Sequence, residues 1–202
     1  MLRVVLLMLF PLFLFGASEN IWVKTGQTYG IEPRLLYAMA KVESDIDRFI
    51  VSLNFSKMTP QQQDNLENFL AKNGIESKKY TKVISIKSKN INQAKMVVTF
   101  LYNNRYPHFD TGIMQINSIH KEMLDKAKIS FYDLFDPKTN IQVGAYILAT
   151  CFEKHKNNKD AINAYNGKVN DNPYSAKVFA EFKKLYTTYQ KDKTKLYYRA
   201  SL

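Results

Sequence analysis

The segment from Pro33 to Ser44, P-R-L-L-Y-A-M-A-K-V-E-S, decides the fold of this chain. Its apolar residues recur at the three- and four-residue spacing of a helix that packs on one face. Glu43 lies on that same face, four residues after Met39 and seven after Leu36. If the face packs against a core, the carboxyl leaves bulk water, and its protonated form is favoured. The alternative is a solvated glutamate at a helix end, with the apolar stripe stopping at Val42.

A carboxyl group that stays protonated near neutral pH, above its usual pKa of ~4.3, can give a proton to a leaving oxygen. This property would make Glu43 a general acid. The choice between this role and a solvated helix end depends on the rest of the chain.

The first residues, M-L-R-V-V-L-L-M-L-F-P-L-F-L-F-G-A-S, place one arginine before an apolar run that ends in small residues. This pattern is typical of a secretory signal peptide. The run is shorter than the ~20 residues of a membrane span, and Pro11 interrupts it, which makes an uncleaved anchor the less favoured alternative. We predict a signal peptide over residues 1–17, one domain over residues 18–190 and a basic tail over residues 191–202. The mature protein is then expected in the periplasm or cell envelope, with no stable membrane span.

The formal net charge of +11 points to an anionic partner. An exported protein meets acidic envelope polymers before DNA, and the sequence has no nucleic-acid motif, so we predict no nucleic-acid partner. The lone Cys151 cannot form an internal disulfide. The three histidines lack metal-ligand spacing and no phosphate-binding glycine loop is present, so we predict no metal and no cofactor.

Helical periodicity and capping residues predict most of the remaining elements. Pro33 and Pro60 suit first turns, and Asn166-Gly167 suits a helix C-terminus. The predicted helices cover residues 21–29, 33–44, 60–73, 92–103, 118–128, 159–165 and 174–189, with a further helix opened by Asp136-Pro137. Two β-leaning stretches, 49–55 and 82–87, are predicted to pair as a hairpin with the 60–73 helix inserted at its tip. The chain is therefore predicted to be a mainly α domain with a small β-hairpin.

Three short motifs follow one another along the chain: E-S at Glu43-Ser44, G-I-M-Q-I-N from Gly112 and A-Y-N from Ala164. The ordered set, with D-L-F-D-P-K-T-N-I-Q-V-G-A-Y-I-L from Asp133, resembles the lytic transglycosylases with an SLT, lysozyme-like domain. The resemblance covers nearly the whole mature chain. It is closest to the small enzymes that accompany bacterial secretion, conjugation, pilus or invasion machines.

This resemblance implies an α+β lysozyme-like fold and an enzyme that cleaves peptidoglycan. Such enzymes break the β-1,4 bond between N-acetylmuramic acid (MurNAc) and N-acetylglucosamine (GlcNAc) and leave a 1,6-anhydromuramic end. Glu43 would be the sole catalytic acid and base. Because the substrate's own C6 hydroxyl attacks, no second carboxylate is needed, in contrast to most glycosidases. Asp45 and Asp47 are then expected to follow or cap the helix end.

The resemblance also implies substrate-binding positions in the first two motifs. Gln115 is expected to bind acetamido or hydroxyl groups. Three other residues have a structural alternative. Ser44 either places the catalytic carboxyl or closes its helix. Met114 lines the groove, or packs in the core as a methionine between two isoleucines more often does. Asn117 equally contacts the groove or caps the next helix.

On the opposite wall, Tyr165 and Asn166 match the A-Y-N motif, and a tyrosine there can cover a sugar face and orient the carboxyl. Tyr146 matches another aromatic position, with a packing role at least as favoured. The family commonly has glycine two residues after the asparagine, but this chain has Gly167 and then Lys168. The long interval from Glu43 to Gly112 predicts that the added helix at 60–73 is a lid, a groove wall or a docking surface.

Two alternatives to the transglycosylase reading remain. One is a lysozyme-type hydrolase, in which water replaces the C6 hydroxyl. The other is a glycan-binding assembly factor of a secretion apparatus, without turnover. For the predicted transglycosylase, the expected partners are peptidoglycan glycan strands and components of an envelope-spanning secretion or conjugation machine.

Overall fold

The computed structural model describes residues 20–191, and side chains through residue 185. The predicted signal peptide and residues 192–202 of the predicted tail lie outside this range. Eight α-helices are present in it: α1 (Ile21–Tyr29), α2 (Pro33–Ser44), α3 (Pro60–Lys72), α4 (Ile91–Asn103), α5 (Lys121–Lys126), α6 (Pro137–Lys154), α7 (Asn158–Tyr165) and α8 (Tyr174–Lys191). Five strands accompany them: β1 (Ile50–Asn54), β2 (Glu76–Lys79), β3 (Val83–Lys87), β4 (Phe109–Thr111) and β5 (Ile116–Asn117). The predicted mainly helical α+β fold is confirmed.

Helix α2 forms as its sequence predicts. Pro33 opens it, where the missing N–H costs nothing, and the Glu32 side chain caps it by accepting from the Arg34 N–H. Leu36 and Met39 are completely buried, mainly against α1 and α8. Burial of each such side chain contributes roughly 1.5–3 kcal/mol, enough to outweigh weak local propensity. The helix ends at Asp45, which adopts a left-handed conformation with φ 57°.

The sheet is larger than the predicted hairpin. Strands β1 and β3 do pair antiparallel, from Ile50 opposite Lys87 to Asn54 opposite Val83, which confirms that pairing. The sheet order is β2-β3-β1-β4-β5. Strand β2 was not predicted because all four of its residues are exposed and show no apolar alternation. Strands β4 and β5 are three and two residues long, too short for a periodic pattern.

One predicted helix differs from the structure. The stretch from 118 to 128 begins as a 3-10 turn, Ser118–His120, and continues as the short helix α5. Helix α5 ends where Lys128 enters a left-handed conformation, φ 57°. The chain then turns back along Ile129 towards α6.

Two buried clusters form the core. The first joins α1, α2, α5, α6, α7 and α8 around residues such as Trp22, Met39 and Leu148. The second lies between the sheet, α3 and α4, and includes Leu53, Leu70 and Val98. Phe131 packs against both clusters. Glu43 follows Val42, which packs against the first cluster, and Asp110 follows Phe109 of the second. The two carboxyl groups lie close enough for the charge of Asp110 to act on Glu43.

Candidate active site

Glu43 lies in the last turn of α2 and is partly buried. The pKa of its carboxyl is raised to about 8, mainly by burial and to a smaller extent by the negative charge of Asp110. Tyr174 acts in the opposite direction by interacting with the ionised form. The apolar face of α2 therefore does carry a carboxyl group into a desolvated position, where its protonated form prevails at neutral pH.

Asp110 is the second carboxyl group of the site, and the sequence analysis did not single it out. It lies on β4, opposite Ser52 of β1 and Asn117 of β5. The Asn117 amide donates to Asp110 Oδ1 at 2.7 Å. Burial raises the pKa of Asp110 to about 6, against the lowering effect of that hydrogen bond. The available signal was its position two residues before Gly112, which places it on a strand entering the predicted motif.

The two acidic residues that follow Glu43 in sequence lie elsewhere. Asp45 is exposed and forms an ion pair with Lys41. Asp47 pairs with Lys87 at 3.2 Å and accepts from the Phe49 N–H at 2.9 Å. Both shape the chain after α2.

Two tyrosines surround the carboxyl pair. Tyr165, predicted from the A-Y-N motif, donates its hydroxyl to the Met114 carbonyl at 2.7 Å. Burial raises its pKa, and the charges of Glu43 and Asp110 add to that effect. Tyr174, at the start of α8, was missed by the sequence analysis, which treated it only as the first residue of a helix. Its hydroxyl is buried and makes no well-aligned hydrogen bond to the described residues, yet it lies close enough to Glu43 to alter its pKa.

The second motif is tied to α2 and β1 by backbone contacts. Ser44 donates its hydroxyl to the Ile113 carbonyl at 2.8 Å, so it connects the end of α2 to this loop. Gln115 has a left-handed backbone, φ 46°. Its amide donates to the Gly112 carbonyl at 2.8 Å and to the Ile50 carbonyl at 3.4 Å. Both side chains hold the loop in place; the substrate contacts predicted for them remain predictions.

The Met114 side chain is buried in the core, in contrast to a side chain that lines a groove. Its side chain has 0% exposure and lies against Gly144 of α6, where a Cβ would come within 2.7 Å of the Met114 Cβ. A sugar contact would require the side chain to move. The Met114 carbonyl, in contrast, is the acceptor for Tyr165.

Asn117 has the capping role that was left open for it, and its predicted groove contact stays a prediction. Its Oδ1 accepts from the Ile119 N–H at 2.9 Å and so caps the 3-10 turn, while its Nδ2 holds Asp110. Asn166 is exposed at the end of α7, next to Gly167 at φ 87°. The loop beyond it is held by Asn172, which donates to the Lys168 carbonyl at 2.7 Å. The Gly167-Lys168 departure is thus accommodated in an ordered turn.

Tyr146 does not join this group. It is 46% exposed on α6, and its ring meets the Tyr29 ring edge-on at 6.4 Å. Both tyrosines line an open cavity of about 790 Å³ between α5 and α6. Neither Glu43 nor Asp110 lines this cavity.

The arrangement can donate one proton from Glu43 and hold a nearby negative charge on Asp110, with two tyrosine hydroxyls close by. A sequence model of the transglycosylase SLT domain matches residues 20–186. The chain belongs to the transglycosylase SLT domain family. The predicted resemblance is thereby confirmed.

This SLT-domain chain is also similar to curated proteins named invasion protein IagB. It is 33% identical over 90 residues to IagB of Salmonella typhimurium strain SL1344, covering 41% of this chain and 56% of that protein. It is 32% identical over 100 residues to IagB of Salmonella typhi, covering 46% of this chain and 62% of that protein. The matches therefore span less than two thirds of the relatives. Within residues 20–191, no helix has the length and apolarity needed to cross a membrane.

Proposed function

We propose that this SLT-domain protein is a peptidoglycan lytic transglycosylase that cleaves the MurNAc-β-1,4-GlcNAc bond without water and leaves 1,6-anhydroMurNAc ends. The single observation that carries the proposal is Glu43, a carboxyl group whose pKa of about 8 keeps it protonated at neutral pH beside a second, ionised carboxyl. The family membership supplies the context for that chemistry.

The protonation states at pH 7 suit an acid-catalysed bond cleavage. With a pKa of about 8, Glu43 is mostly the neutral acid, and with a pKa of about 6, Asp110 is mostly the carboxylate. Each group favours its state by a factor of roughly 10, since one pH unit is one decade in the ratio of forms. Carboxyl groups with separated pKa values can divide acid and charge-stabilising roles between them.

In the proposed reaction, Glu43 gives its proton to the glycosidic oxygen as the bond from C1 of MurNAc to that oxygen breaks. The C6 hydroxyl oxygen of the same sugar then bonds to C1, and its proton passes to the Glu43 carboxylate. The acid is restored and no water is consumed. A group with a pKa near the working pH serves both steps, because it gives and regains a proton at small cost.

The neighbouring residues support charge changes at the anomeric carbon. The Asp110 carboxylate, held by Asn117, would face the positive charge that develops there. Tyr174 would stabilise Glu43 in its ionised form. The Met114 carbonyl holds the Tyr165 hydroxyl, and the Tyr165 ring would cover a sugar face in the same site. At the rim of the site around Glu43, the proposed substrate contacts are Ser44, Gln115 and Asn166. Tyr146 is a proposed substrate contact outside this site.

We further propose that the protein is exported to the envelope and opens local gaps for a secretion or conjugation machine. The support is the N-terminal sequence pattern and the similarity to proteins named for invasion. The net charge of +11 suits an acidic polymer matrix.

Mass spectrometry of soluble products from purified peptidoglycan tests the reaction. Wild-type protein should release anhydromuramic products, and Glu43→Gln should release none. Glu122→Gln is the matched control, because Glu122 is exposed on α5 and pairs only with Lys126 among the described residues. Loss of products in Glu43→Gln with full activity in Glu122→Gln supports the proposal; equal activity in all three proteins contradicts it.

The second candidate is a lysozyme-type hydrolase, and Asp110 is the observation that favours it. A second carboxylate next to the acid is what glycosidases that use water require. The two reactions differ in their products, since hydrolysis leaves reducing ends in place of anhydro ends. Products absent from all proteins, with glycan binding intact, would instead identify a binding factor.

A further inference from the structure

A row of polar residues leads from Asp110 across the sheet to its outer edge. Asp110 lies opposite Ser52 of β1, and Ser52 lies opposite Ser85 of β3. Ser85 in turn lies opposite Lys78 of β2. Residues directly opposite one another in an antiparallel sheet project to the same face. Neighbouring strands are ~4.8 Å apart, so the row extends ~14 Å from Asp110 to the edge strand.

The other face of the sheet is closed by the core. The residues that alternate with this row are buried in the second cluster, with α3 and α4: Val51, Leu53, Ile84, Ile86 and Phe109. The row therefore lies on the outward face, together with the Asp110 carboxyl. Strands β2 and β3 belong to the long interval between Glu43 and Gly112. The added segment of this chain thus lengthens the polar face on which Asp110 lies.

The two serine hydroxyls of the row are available to a ligand. Ser52 and Ser85 are half-buried, and neither hydroxyl forms a hydrogen bond with a group of residues 20–185. Each hydroxyl offers one donor and two acceptor positions. Because an unmade hydrogen bond at a half-buried group costs free energy, water or a ligand must complete it. The hydroxyl and acetamido groups of a sugar supply both donors and acceptors.

At the edge of the sheet, the row widens into a surface of mixed polarity, which we call the edge platform: Lys78, Tyr80, Val83 and Ser85. Tyr80 and Val83 are 55% and 39% exposed, and the Tyr80 N–H donates to the Val83 carbonyl at 2.7 Å. The Lys78 ammonium lies 5.3 Å from the centre of the Tyr80 ring and pairs with no carboxylate of residues 20–185. An exposed ring can cover the apolar face of a sugar while the ammonium and hydroxyl groups bind its polar atoms.

We propose that the edge platform is a second glycan-binding site, which holds the strand being cleaved at sugars beyond those next to the reacting bond. The inference rests on the proposed function, because it takes the ligand over Asp110 to be a peptidoglycan strand. A long strand that continues from Asp110 over Ser52 reaches the platform, and a short fragment does not. The platform thereby directs cleavage to the interior of long strands. Lys78 and Tyr80 bind the strand without contacting the reacting atoms.

The test compares two substrates that both keep their stem peptides. One is long, soluble, uncrosslinked peptidoglycan strands, and the other is the tetrasaccharide fragment, which extends only two sugars to either side of its central bond. Lys78→Gln/Tyr80→Ser removes the ammonium and the ring of the platform, both at exposed positions. Tyr132→Ser/Lys138→Gln removes an exposed ring and an exposed charge outside the platform and serves as control.

We expect kcat/KM of Lys78→Gln/Tyr80→Ser to fall roughly tenfold on long strands, because a ring contact and a hydrogen bond to a charged group are lost. On the tetrasaccharide, it should stay at the wild-type value. The control should match wild type on both substrates. An equal loss on both substrates, or no loss on either, would overturn the inference.

A binding measurement separates this inference from the proposed function. If wild-type protein releases no product from either substrate, the proposed function fails, and co-sedimentation with insoluble peptidoglycan decides about the platform. A smaller bound fraction of Lys78→Gln/Tyr80→Ser than of wild type and control supports the platform. Equal bound fractions of the three proteins overturn it.

Discussion

At the scale of single residues, the site depends on two carboxyl groups whose environments separate their pKa values. Glu43 loses more hydration than it regains from Tyr174, and its pKa rises to about 8. Asp110 is also desolvated, but the Asn117 amide favours its ionised form and holds its pKa to about 6. The group with the hydrogen-bond donor at 2.7 Å is the one that ionises first.

We predict a bell-shaped dependence of kcat/KM on pH. Activity needs Glu43 protonated and is higher with Asp110 ionised, so it should rise through about 6 and fall through about 8. In Asp110→Asn the acidic limb should disappear, and the alkaline limb should move to lower pH because a repelling charge is gone. Rates of product release from pH 4 to 10, on ~1-unit steps, measure both limbs. An unchanged profile in Asp110→Asn would contradict these assignments.

The pKa of Glu43 also makes stability depend on pH. Folded protein keeps this proton up to about 8, whereas the unfolded chain releases it near 4.5. The unfolded state therefore binds fewer protons across this interval, and stability falls as pH rises through it. The Glu43→Gln variant cannot ionise at this position, so it lacks this pH-dependent loss of stability. Relative to wild type, its free energy of unfolding should increase from pH 5 to 8 by about 1–3 kcal/mol, less than the full shift because solvent screens a partly exposed group.

Urea denaturation of both proteins at pH 5 and pH 8 measures that difference. A constant difference between them at the two pH values would mean that the folded pKa of Glu43 is not raised.

Substitution of Tyr174 and of Tyr165 should have different effects, the first on the pH profile of activity and the second on stability. Tyr174→Phe removes a buried hydroxyl that has no well-aligned partner, so stability should change little while the alkaline limb moves to higher pH. Tyr165→Phe removes the hydrogen bond to Met114 and should lower the free energy of unfolding by about 1 kcal/mol. Thermal melts and pH profiles of both variants give the comparison. Equal stability losses would show that Tyr174 is also a structural anchor.

At the scale of elements, Asn140 at the end of the first turn of α6 holds the loop of the second motif. Its side chain is fully buried, accepts from the Met114 N–H at 2.7 Å and donates to the Thr111 and Leu134 carbonyls at 2.9 and 2.8 Å. Gly112 has φ 79°, and a Cβ there would lie 2.3 Å from the Asn140 amide nitrogen. Helix α6 thus positions β4 and the loop through one polar side chain and one glycine.

Asn140→Ala should destabilise the protein by about 2–4 kcal/mol, because three buried backbone groups lose their partner. For a chain of this size, the loss corresponds to a fall in Tm of roughly 5–15 °C. Asn104→Ala is the control, since it removes a single exposed bond to the Phe100 carbonyl. Calorimetry measures the Tm of both variants. A similar Tm for the two would mean that the loop keeps its conformation without the Asn140 hydrogen bonds.

At the scale of the whole molecule, the added helix α3 belongs to the core. Leu66 and Leu70 are buried beneath the sheet, in the second cluster. Phe69 stacks on Phe100 of α4, with ring centroids 4.0 Å apart. We call the second cluster with its sheet, α3 and α4 the β-lobe, and the first cluster with its helices the helical lobe. Among the roles predicted for α3, these contacts favour a wall fixed to the β-lobe over a mobile lid.

Leu70→Ala should cost about 2–4 kcal/mol and destabilise the distant helical lobe equally. The single tryptophan, Trp22, lies in the first cluster, so its fluorescence reports that lobe. Circular dichroism reports the whole fold. Coincident midpoints from the two probes, both shifted by Leu70→Ala, are expected of one cooperative unit. A Trp22 midpoint that stays at the wild-type value would show that the lobes unfold separately.

Much of the helical framework was predictable because its causes are local. The 3.6-residue period of α2 and α4, the capping box of Thr59 and Gln62 and the proline at the start of α6 act within one or two turns. The exposed edge strand β2 and the short strands β4 and β5 carry no such signal. Strand β2 forms by pairing with β3, and β4 forms by pairing with β1, which is distant from it in sequence.

The candidate site divides in the same way. The sequence by itself determined Glu43, Tyr165 and the order of the motifs, because an apolar stripe and contiguous motif residues can be recognised along one segment. Only the tertiary structure shows that Asp110 and Tyr174 lie near Glu43 and that the Met114 side chain is buried in the core. The physical reason is that desolvation and charge repulsion depend on distances between elements, and packing of the two lobes decides those distances.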